Sequence, residues 1–401
     1  MLSILLNTTD LKKEFESAHW VQIVAITPSD TIYIALLNVW ITDNYQSIQQ
    51  VIIYFEESRI IKLYKNIQEK EIRWKCIFSL ENGQYWLGSG YSSFNSGAKL
   101  ALFKEDQLLT SRIFNKGYST EINKIENGNN GSILINGNWY QCVPAGGHDD
   151  FWPERWQTKI SKEGLDFIEV ENPVIKQSYF SSSVLDSNNE NFYVLENHGI
   201  SKYLNEGEII WNQGLGHFGL EGLMPLNKIV PYYKVHNGIT VHDGVWFSGI
   251  DYTNSDRSVE DPLFGRVTVC GTILSFNHIL YDFPEIYKIH TIVSGIDSDC
   301  LLIGETLRIG EGTGLFLLHV HFSNGVFSTN IKYLNCNGDD LQLSVSDSPS
   351  FQERYLDIKG VYPQSSSLED LNEIIIFGNV NYLRNRDNGM VWSVKIDTVF
   401  E

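Results

Sequence analysis

Long hydrophobic runs and a recognisable targeting segment are missing from this sequence. No window approaches the roughly 18 consecutive apolar residues that a transmembrane helix needs. We therefore expect that the protein is not an integral membrane protein. The N-terminal segment "MLSILLNTTDLKKEF" has no basic residue before its short apolar part, which predicts that it is not a secretion signal. The sequence therefore predicts no membrane partner.

Cysteine is scarce as well. The chain has 5 cysteines, an odd number, and they lack the CxxC spacing that metal sites use. They are Cys76, Cys142, Cys270, Cys300 and Cys336, and most of them lie in apolar runs, where cysteine usually acts as a small buried hydrophobe. We expect structural thiols in a reducing compartment, and hence a cytoplasmic location.

Positive charge is in short supply. Lys and Arg number 30 against 49 Asp and Glu, which gives a net charge of -19, and no run of basic residues offsets it locally. Such a charge repels a phosphate backbone and attracts cations. The composition therefore predicts no nucleic-acid partner and favours a basic protein or a cationic ligand.

What the sequence does contain is a succession of short apolar runs. Hydrophobic residues make up 42% and aromatic residues 13%, enough for a large core. The runs are rich in Val, Ile, Tyr and Trp and are broken by Asn, Asp and Gly, which is typical of all-β proteins. Only "TDLKKEFESAHW" and "SLEDLNEI" resemble helices.

The runs form a repeat of strand, tight turn, strand, loop, strand, tight turn, strand. Its period is about 53–55 residues until the last copy, as propeller blades require. The second strands are predicted to begin at Thr31, Gln84, Trp139, Phe192, Val245, Cys300 and Glu373. We predict a single-domain, seven-bladed β-propeller with four-stranded antiparallel blades at about 19–68, 72–116, 128–172, 179–214, 233–280, 288–335 and 355–400. Residues 1–7 are predicted to complete the last blade and close the ring.

Three segments carry a family resemblance: "ENGQYWLGSG", "HDGVWFSGI" and "NFYVLENHGISKYL". Their residue pattern resembles the two-component-regulator type of propeller repeat, in which Asp-x-x-Gly-x-x-Trp-x-Gly is followed by Gly-Leu and an aromatic residue. The resemblance implies the propeller fold. It implies no function, because functions are grafted on folds through their sites.

The loops between the second and third strands are predicted to form the functional rim. They are long and chemically varied, as binding loops on rigid scaffolds are. The longest are "GSGYSSFNSG", "VPAGGHDDFWPER", "GIDYTNSDRSVEDPLFG", "ETLRIGEGTG" and "NVNYLRNRDNG".

The densest cluster of candidate binding residues is "GGHDDFWPERW", which contains His148, Asp149, Asp150, Trp152 and Arg155. Paired carboxylates beside an imidazole suit a metal or acid–base chemistry, and Trp beside Arg suits a protein contact or a sugar. The alternative is an acidic solvated loop whose tryptophan packs on a neighbouring blade.

A second group of candidates lies between residues 251 and 265. It comprises Tyr252, Asp256, Arg257, Glu260 and Asp261, which suit a basic partner. The alternative is an insertion whose charges pair with one another.

The most basic part of the rim holds Arg308, Arg384 and Arg386, which would clamp a carboxylate or phosphate. Plain surface arginines are the alternative.

His319 and His321 alternate onto one side of a strand, a spacing that permits shared metal ligation. The sequence identifies no third ligand, so two ordinary strand histidines are the expectation. We assign no metal, no cofactor and no catalytic residue.

Known catalytic motifs are also missing. The sequence has no G-x-S-x-G, no HExxH, no phosphate loop and no Ser-x-Asp-x-Gly-x-x-Trp box. Because propeller enzymes can assemble sites from single residues on separate blades, the enzyme question stays open, and the sequence favours a non-enzyme. The leading hypothesis is a propeller that binds a protein partner through its rim, in one specific form an immunity-type inhibitor. The alternative is a glycan-binding or glycan-cleaving propeller that uses Trp152 and the rim carboxylates.

Overall fold

The fold is built almost entirely from β-strands. The computed structural model describes residues 2–29, 32–42, 48–56, 59–65, 72–80, 83–90, 97–115, 119–127, 132–145, 148–161, 167–168, 183–185, 191–196, 199–204, 208–214, 226–251, 261–297, 299–308, 312–323, 326–334, 354–365, 367–382 and 386–398. Its α-helices in these ranges are short: α1 (Leu11–Glu14) and α2 (Asn277–Leu280). The all-β prediction is confirmed.

The strands follow one another in units of four antiparallel strands. Unit 1 contains β2 (Trp20–Ser29), β3 (Ile32–Trp40), β4 (Ile48–Glu56) and β5 (Arg59–Lys65). Unit 2 contains β6 (Trp74–Ser79), β7 (Gln84–Ser89), β8 (Ala98–Lys104) and β9 (Gln107–Phe114). Unit 3 contains β10 (Ser119–Asn127), β11 (Ser132–Ala145), β12 (His148–Ser161) and β13 (Phe167–Ile168).

The same order continues in the second half of the chain. Unit 4 contains β14 (Ser183–Leu185), β15 (Asn191–Glu196), β16 (Gly199–Leu204) and β17 (Ile209–Gly214). Unit 5 contains β18 (Leu226–His236), β19 (Ile239–Asp251), β20 (Asp261–Thr268) and β21 (Ile273–Ser275). Unit 6 contains β22 (Ile286–Ser294), β23 (Cys300–Arg308), β24 (Gly312–Ser323) and β25 (Val326–Leu334). Unit 7 contains β26 (Arg354–Pro363), β27 (Glu373–Tyr382) and β28 (Arg386–Thr398).

The N-terminal strand β1 (Leu2–Asp10) completes unit 7. It pairs antiparallel with β28 from Leu2 opposite Thr398 to Asp10 opposite Met390. A single parallel bridge between Val21 and Asn388 joins units 7 and 1 into one sheet. The first and last parts of the chain therefore share a sheet, as the sequence predicts for residues 1–7.

The core lies between consecutive units. In the described residues it divides into six clusters, each shared by two units: 1 and 2, 2 and 3, 4 and 5, 5 and 6, 6 and 7, and 7 and 1. Strand β3 shows how the sequence produces this arrangement. Ile34 and Leu36 pack toward unit 2, whereas Ala35 and Leu37 pack toward unit 7, because side chains alternate along a strand. Four-stranded sheets stacked face to face in chain order form a β-propeller architecture.

Five of the predicted first turns match the observed strands. Gln84, Cys300 and Glu373 begin the second strands of units 2, 6 and 7, as predicted, and those of units 1 and 4 begin within one residue of the prediction. The last copy of the predicted repeat begins later than the period requires, and the additional residues before Glu373 contain β26, the first strand of unit 7. In these five units the sequence therefore predicts the start of the second strand to within one residue.

The predicted turn of unit 3 is wrong. Asn136, Gly137 and Asn138 read as a turn but lie inside β11, and the first strand is β10, which begins before the predicted boundary at residue 128. Gly137 is there for a different reason: a Cβ atom at this position would collide with the carbonyl oxygen of Glu121. The glycine allows close approach of two strands and ends neither of them.

The predicted turn of unit 5 is also wrong. His242, Asp243 and Gly244 lie inside β19, and His236 and His242 belong to different strands. The turn is made by Asn237 and Gly238, whose φ angles of 51° and 76° fit a two-residue hairpin. This segment contains two dipeptides that are typical of hairpin turns, Asn237-Gly238 and Asp243-Gly244, and the first of them forms the turn.

The first strand of each unit is here called the inner strand, and in six of the seven units its described residues show a characteristic irregularity. Of the inner strands, β2, β6, β10, β18, β22 and β26 each contain a register shift against the second strand. A bulge leaves one residue outside the ladder and twists the strand. Backbone groups at these points therefore need partners from elsewhere.

Buried polar side chains of the preceding unit provide some of these partners. Asn379 of β27 accepts a hydrogen bond from the Ile23 amide at 2.7 Å and donates one to the Ile23 carbonyl at 3.0 Å. Gln50 of β4 makes the same pair of bonds with Trp74, at 2.8 and 2.9 Å. Both contacted residues lie at a register shift of the inner strand. The side-chain amides thus replace the missing rungs of the ladder.

Two expectations about helices have different outcomes. The segment "TDLKKEFESAHW" contains α1, capped by Asp10, whose carboxylate accepts from the Lys12 amide at 3.0 Å. The segment "SLEDLNEI" is not helical in its described part, which forms a turn before β27. No helix in the described ranges is long and apolar enough to span a membrane.

Removing residues 1–7 is expected to destabilise the protein, because it exposes most of the edge of β28. The apparent melting temperature should fall and aggregation should increase. Deletion of 399–401, which lie beyond the paired residues, is the matched control and should leave both unchanged. Equal melting temperatures of the two deletion variants would show that β1 does not stabilise the sheet by covering the edge of β28.

Asn379→Ala is expected to lower the free energy of unfolding by about 2–3 kcal/mol, because both buried polar groups of Ile23 lose their partner. The control is Asn372→Ala, an exposed asparagine before β27, which should change it by less than about 0.5 kcal/mol. Urea unfolding of the two variants measures the difference. An Asn379→Ala effect no larger than the control would show that the inner strand does not depend on this pair.

Candidate functional site

The strand 2–3 rim is defined as the ends of the units where the second and third strands connect, and it is where the sequence predicts the binding residues. The backbone places His148, Asp149, Asp150, Trp152 and Arg155 in β12. Asp261 begins β20, Arg308 ends β23 and Arg386 begins β28. Tyr252, Asp256, Arg257, Glu260 and Arg384 lie outside the described residues. All the described candidates thus lie on strands that flank this connection in their units.

Several of the predicted long loops are strands. In unit 3 the ladder continues to Ala145 opposite His148, in unit 6 to Arg308 opposite Gly312, and in unit 7 to Tyr382 opposite Arg386. In unit 3 the two residues between the paired ends are Gly-Gly, a composition that favours a two-residue hairpin turn. The segment "HDDFWPER" therefore lies on a strand of a hairpin and not in an irregular loop.

This hairpin extends beyond its own unit. The last residue of β11 that pairs with β10 is Tyr140, opposite Ser119. From Gln141 opposite Trp152 to Ala145 opposite His148, β11 and β12 pair only with each other. Residues 141–152, here called hairpin A, thus form a two-stranded projection with both backbone edges outside the ladder of the described residues.

Trp156, the other tryptophan of this segment, has a structural role. It is buried, its ring lies 5.1 Å from that of Phe114 in unit 2, and its indole nitrogen donates to the Asn138 carbonyl at 3.2 Å. The alternative in which a tryptophan of the cluster packs on a neighbouring blade holds for this residue.

A second projection lies at the opposite end of the sheets. Residues 233–242, here called hairpin B, extend past Gly244, where β20 stops pairing with β19. Val235, Ile239 and Val241 are exposed on it. Its first strand is held by Asp297 of unit 6, whose carboxylate accepts from the Val235 amide at 3.0 Å. Hairpin B is thus a second projecting hairpin, at the opposite end of the sheets, with which hairpin A can be compared.

The two strand histidines meet a carboxylate that the sequence did not identify. Nε2 of His319 lies 2.6 Å from Oδ1 of Asp299, and Nδ1 of His321 lies 3.3 Å from Oδ2. The prediction that both rings share one side of β24 agrees with this arrangement. Within the ranges that the structure describes, no group of three His, Cys, Asp or Glu side chains is placed to hold a metal ion.

The cysteines that the structure describes are mostly buried. Burial raises the pKa of the Cys76 thiol to about 12 and raises that of Cys300 well above its ordinary value. Neither thiol is a nucleophile at neutral pH. Cys270 differs from the expectation because it is exposed in the turn after β20. For Cys142 only the backbone is described, and Cys336 lies outside the described residues.

The inner strands carry basic side chains that sequence reasoning missed. At the register shifts, Lys75, His290 and Lys359 are the residues left out of the ladder. Lys75 and Lys359 are exposed, although the residues before them, Trp74 and Ile358, are buried. The bulges therefore turn these basic groups away from the cores and toward the surface formed by the inner strands.

A carboxylate lies against each of these three groups. Lys75 lies 3.0 Å from Glu121 of unit 3, and Lys359 lies 2.7 Å from Asp357. His290 lies 2.8 Å from Glu305. The same Glu305 oxygen accepts the Ile358 amide at 2.9 Å, so Glu305 also joins units 6 and 7.

Lys124 and Lys228 extend this cationic surface to units 3 and 5. The amine of Lys124 lies 2.5 Å from Glu126. Burial, together with the positive charge of Lys124, lowers the pKa of the Lys228 amine. Among the described residues no carboxylate pairs with Lys228. The sequence signal for this surface is a charged residue inside an otherwise apolar strand, as in "WKCIF" and "INKIE".

Comparisons with known proteins give structural likeness only. No protein-family model matches the chain, and no curated protein matches it in sequence. The WD40 domain of SCAP from fission yeast is similar at a TM-score of 0.41 and 8% identity, over 97% of this chain and 98% of that chain. A protein of unknown function from Dyadobacter fermentans gives 0.39 and 8%, over 95% and 99%. A neuraminidase-like protein from the A/flat-faced bat/Peru strain gives 0.36 and 10%, over 93% and 88%. At these scores the likenesses carry no argument about function.

Proposed function

We propose that the chain is a closed, seven-bladed β-propeller that acts as a non-enzymatic binding module. Hairpin A and the strand 2–3 rim bind a basic protein partner. Support for the ring comes from the core clusters shared by consecutive units and from the pairing of β1 with β28. Support for a binding role without chemistry comes from the missing catalytic motifs and the net charge of -19.

The observation that carries the proposal is the projection of hairpin A. A two-stranded hairpin without a third strand or a supporting surface is only marginally stable in water. Hairpin A nevertheless extends the ladder by five residue pairs beyond the point where β10 ends. An unpaired strand edge is a liability unless a partner covers it, and strand addition to such an edge is a recurrent mode of protein recognition.

The charges of hairpin A favour a basic partner. Its sequence "QCVPAGGHDDFW" contains Asp149 and Asp150 and no Lys or Arg. Opposite charges steer association and weaken with salt. The other rim candidates are proposed to enlarge this binding surface. Their acidic groups suit cations of the partner, and their arginines suit carboxylates of the partner. They are Tyr252, Asp256, Arg257, Glu260, Asp261, Arg155, Arg308, Arg384 and Arg386.

A finer form of the proposal identifies the partner as a toxin, so that the chain acts as an immunity-type inhibitor. An acidic, non-catalytic protein that covers a basic active surface fits this role. Capture of one basic nuclease or similar toxin, with loss of the toxin's activity, is the result that would support it.

Shortening hairpin A tests the main proposal. Residues 142–151 are replaced by Asn-Gly, so that Gln141 and Trp152 flank a two-residue turn. We expect the wild type to capture one basic protein from a native lysate in stoichiometric amount, and the shortened variant to lose it. Asp149→Asn with Asp150→Asn should weaken binding about tenfold at low salt and less at high salt.

The matched control shortens hairpin B, by replacing residues 234–241 with Asn-Gly at the opposite end of the sheets. It should retain the partner, and circular dichroism should show that both variants are folded. Retention by the hairpin A variant would contradict the proposal. Saturable sugar binding that is lost in Trp152→Ala, without protein capture, would assign the chain to the glycan-binding class instead.

A further inference from the structure

The outermost strand of unit 2 is an open sheet edge with exposed apolar side chains. Strand β9 ends its four-stranded sheet, and in the described part of the chain the strand paired with it is β8. On β9, Leu108, Leu109 and Ile113 are 46%, 47% and 65% exposed, and Phe114 is its only buried residue. An exposed hydrophobic edge is a template for pairing with another strand.

Several other outer strands carry features that protect an open edge, whereas β9 has few of them. Short length and charged residues prevent edge pairing. Strands β13 and β21 have two and three residues, and β5 contains Arg59, Lys62 and Lys65. Strand β9 has eight residues and one charged side chain, Arg112, whose guanidinium carbon lies 5.5 Å from the centroid of the Phe114 ring.

The segment from Leu109 to Ile113 provides the part of this edge that a second strand can follow. A bulge leaves Leu109 outside the ladder with β8, and from Thr110 onward the pairing is regular. Because side chains alternate along a strand, Leu109, Ser111 and Ile113 are placed on one face, and Thr110 and Arg112 on the other. Two exposed apolar residues thus share one face of an open edge.

This segment is complementary to itself. When a second copy is added antiparallel around a twofold axis at Ser111, Leu109 lies opposite Ile113 of that copy, and Thr110 lies opposite Arg112. Directly opposite residues of an antiparallel pair share a face and contact each other. The register therefore covers the apolar residues of both copies and places no arginine opposite another arginine.

The charge distribution also favours this edge for contact between copies. With a net charge of -19 the copies repel each other, so association is least unfavourable where carboxylates are missing. Strand β9 contains no Asp or Glu, and Glu105 in the turn before it is paired with Lys62 at 2.8 Å. We propose that β9 is the interface of a twofold dimer in which the sheets of unit 2 from two copies join edge to edge. This interface is separate from hairpin A and does not depend on the partner proposed there.

Sedimentation velocity of the full chain tests the dimer. A single pair of edge strands forms a small interface, so the dimer is weak. The wild type should sediment as a monomer at about 5 μM and largely as a dimer at about 200 μM. Raising the salt concentration should strengthen the dimer because it screens the repulsion between the copies, whereas salt should weaken binding at hairpin A.

Ile113→Lys tests the edge itself. It places an ammonium group opposite Leu109 of the second copy and should weaken the dimer at least tenfold. Ile209→Lys is the matched control, because Ile209 is a 50% exposed residue on β17, the outer strand of unit 4. It lies next to Ile210 in sequence, so the two side chains point to opposite faces, and this variant should dimerise like the wild type. Circular dichroism should show that both variants are folded.

Disulfide cross-linking tests the register. In a Cys270→Ser background, which removes an exposed thiol, Ser111→Cys should give a covalent dimer on mild oxidation. Opposite residues of an antiparallel pair have Cα atoms about 4.5–5.5 Å apart, within the range of a disulfide. Arg112→Cys is the control in the same background. Its two copies are offset by two residues along the strand, about 8 Å apart, and should cross-link at least tenfold more slowly.

The proposal is overturned if the wild type is monomeric at every concentration, which would assign the edge to an occupant other than a second copy. Dimerisation of Ile113→Lys at wild-type strength would also overturn it, because the contact would then lie elsewhere. Equal cross-linking rates of Ser111→Cys and Arg112→Cys would contradict the twofold register.

Discussion

The inner strands must be bulged and yet have every buried backbone group paired, and the rest of the structure depends on this constraint. A bulge removes amide and carbonyl groups from the ladder, and burial does not allow them to remain unpaired. Asn379, Gln50 and Glu305 meet the requirement from the preceding unit, at Ile23, Trp74 and Ile358. Because each bond crosses between units, local pairing and the packing of units become one interaction.

This arrangement separates two kinds of surface. The bulges turn Lys75 and Lys359 out of the apolar ladder toward the inner-strand surface, where their charges meet carboxylates. Hairpins A and B extend beyond their units at opposite ends of the sheets, one at each end.

The sequence predicted the all-β class and the turns of five units, because the alternation of apolar residues and the spacing of turns are local signals. It placed the turns of units 3 and 5 wrongly, since Gly137 and Gly244 serve close strand approach in long strands and look like turn glycines. The same error made hairpin A look like a loop. Asp299 beside the two strand histidines, and the pairing of Glu305 with the next unit, depend on contacts distant in sequence, so no local pattern reveals them.

Amide hydrogen exchange tests the central claim most directly. The amides of Ile23, Trp74 and Ile358 donate to side chains of a neighbouring unit. If those bonds hold the units together, the three amides exchange as slowly as central-strand amides such as that of Leu302, because all of them open only when units separate. Exchange of the three amides at the rate of exposed turn residues, with Leu302 still protected, would contradict the account.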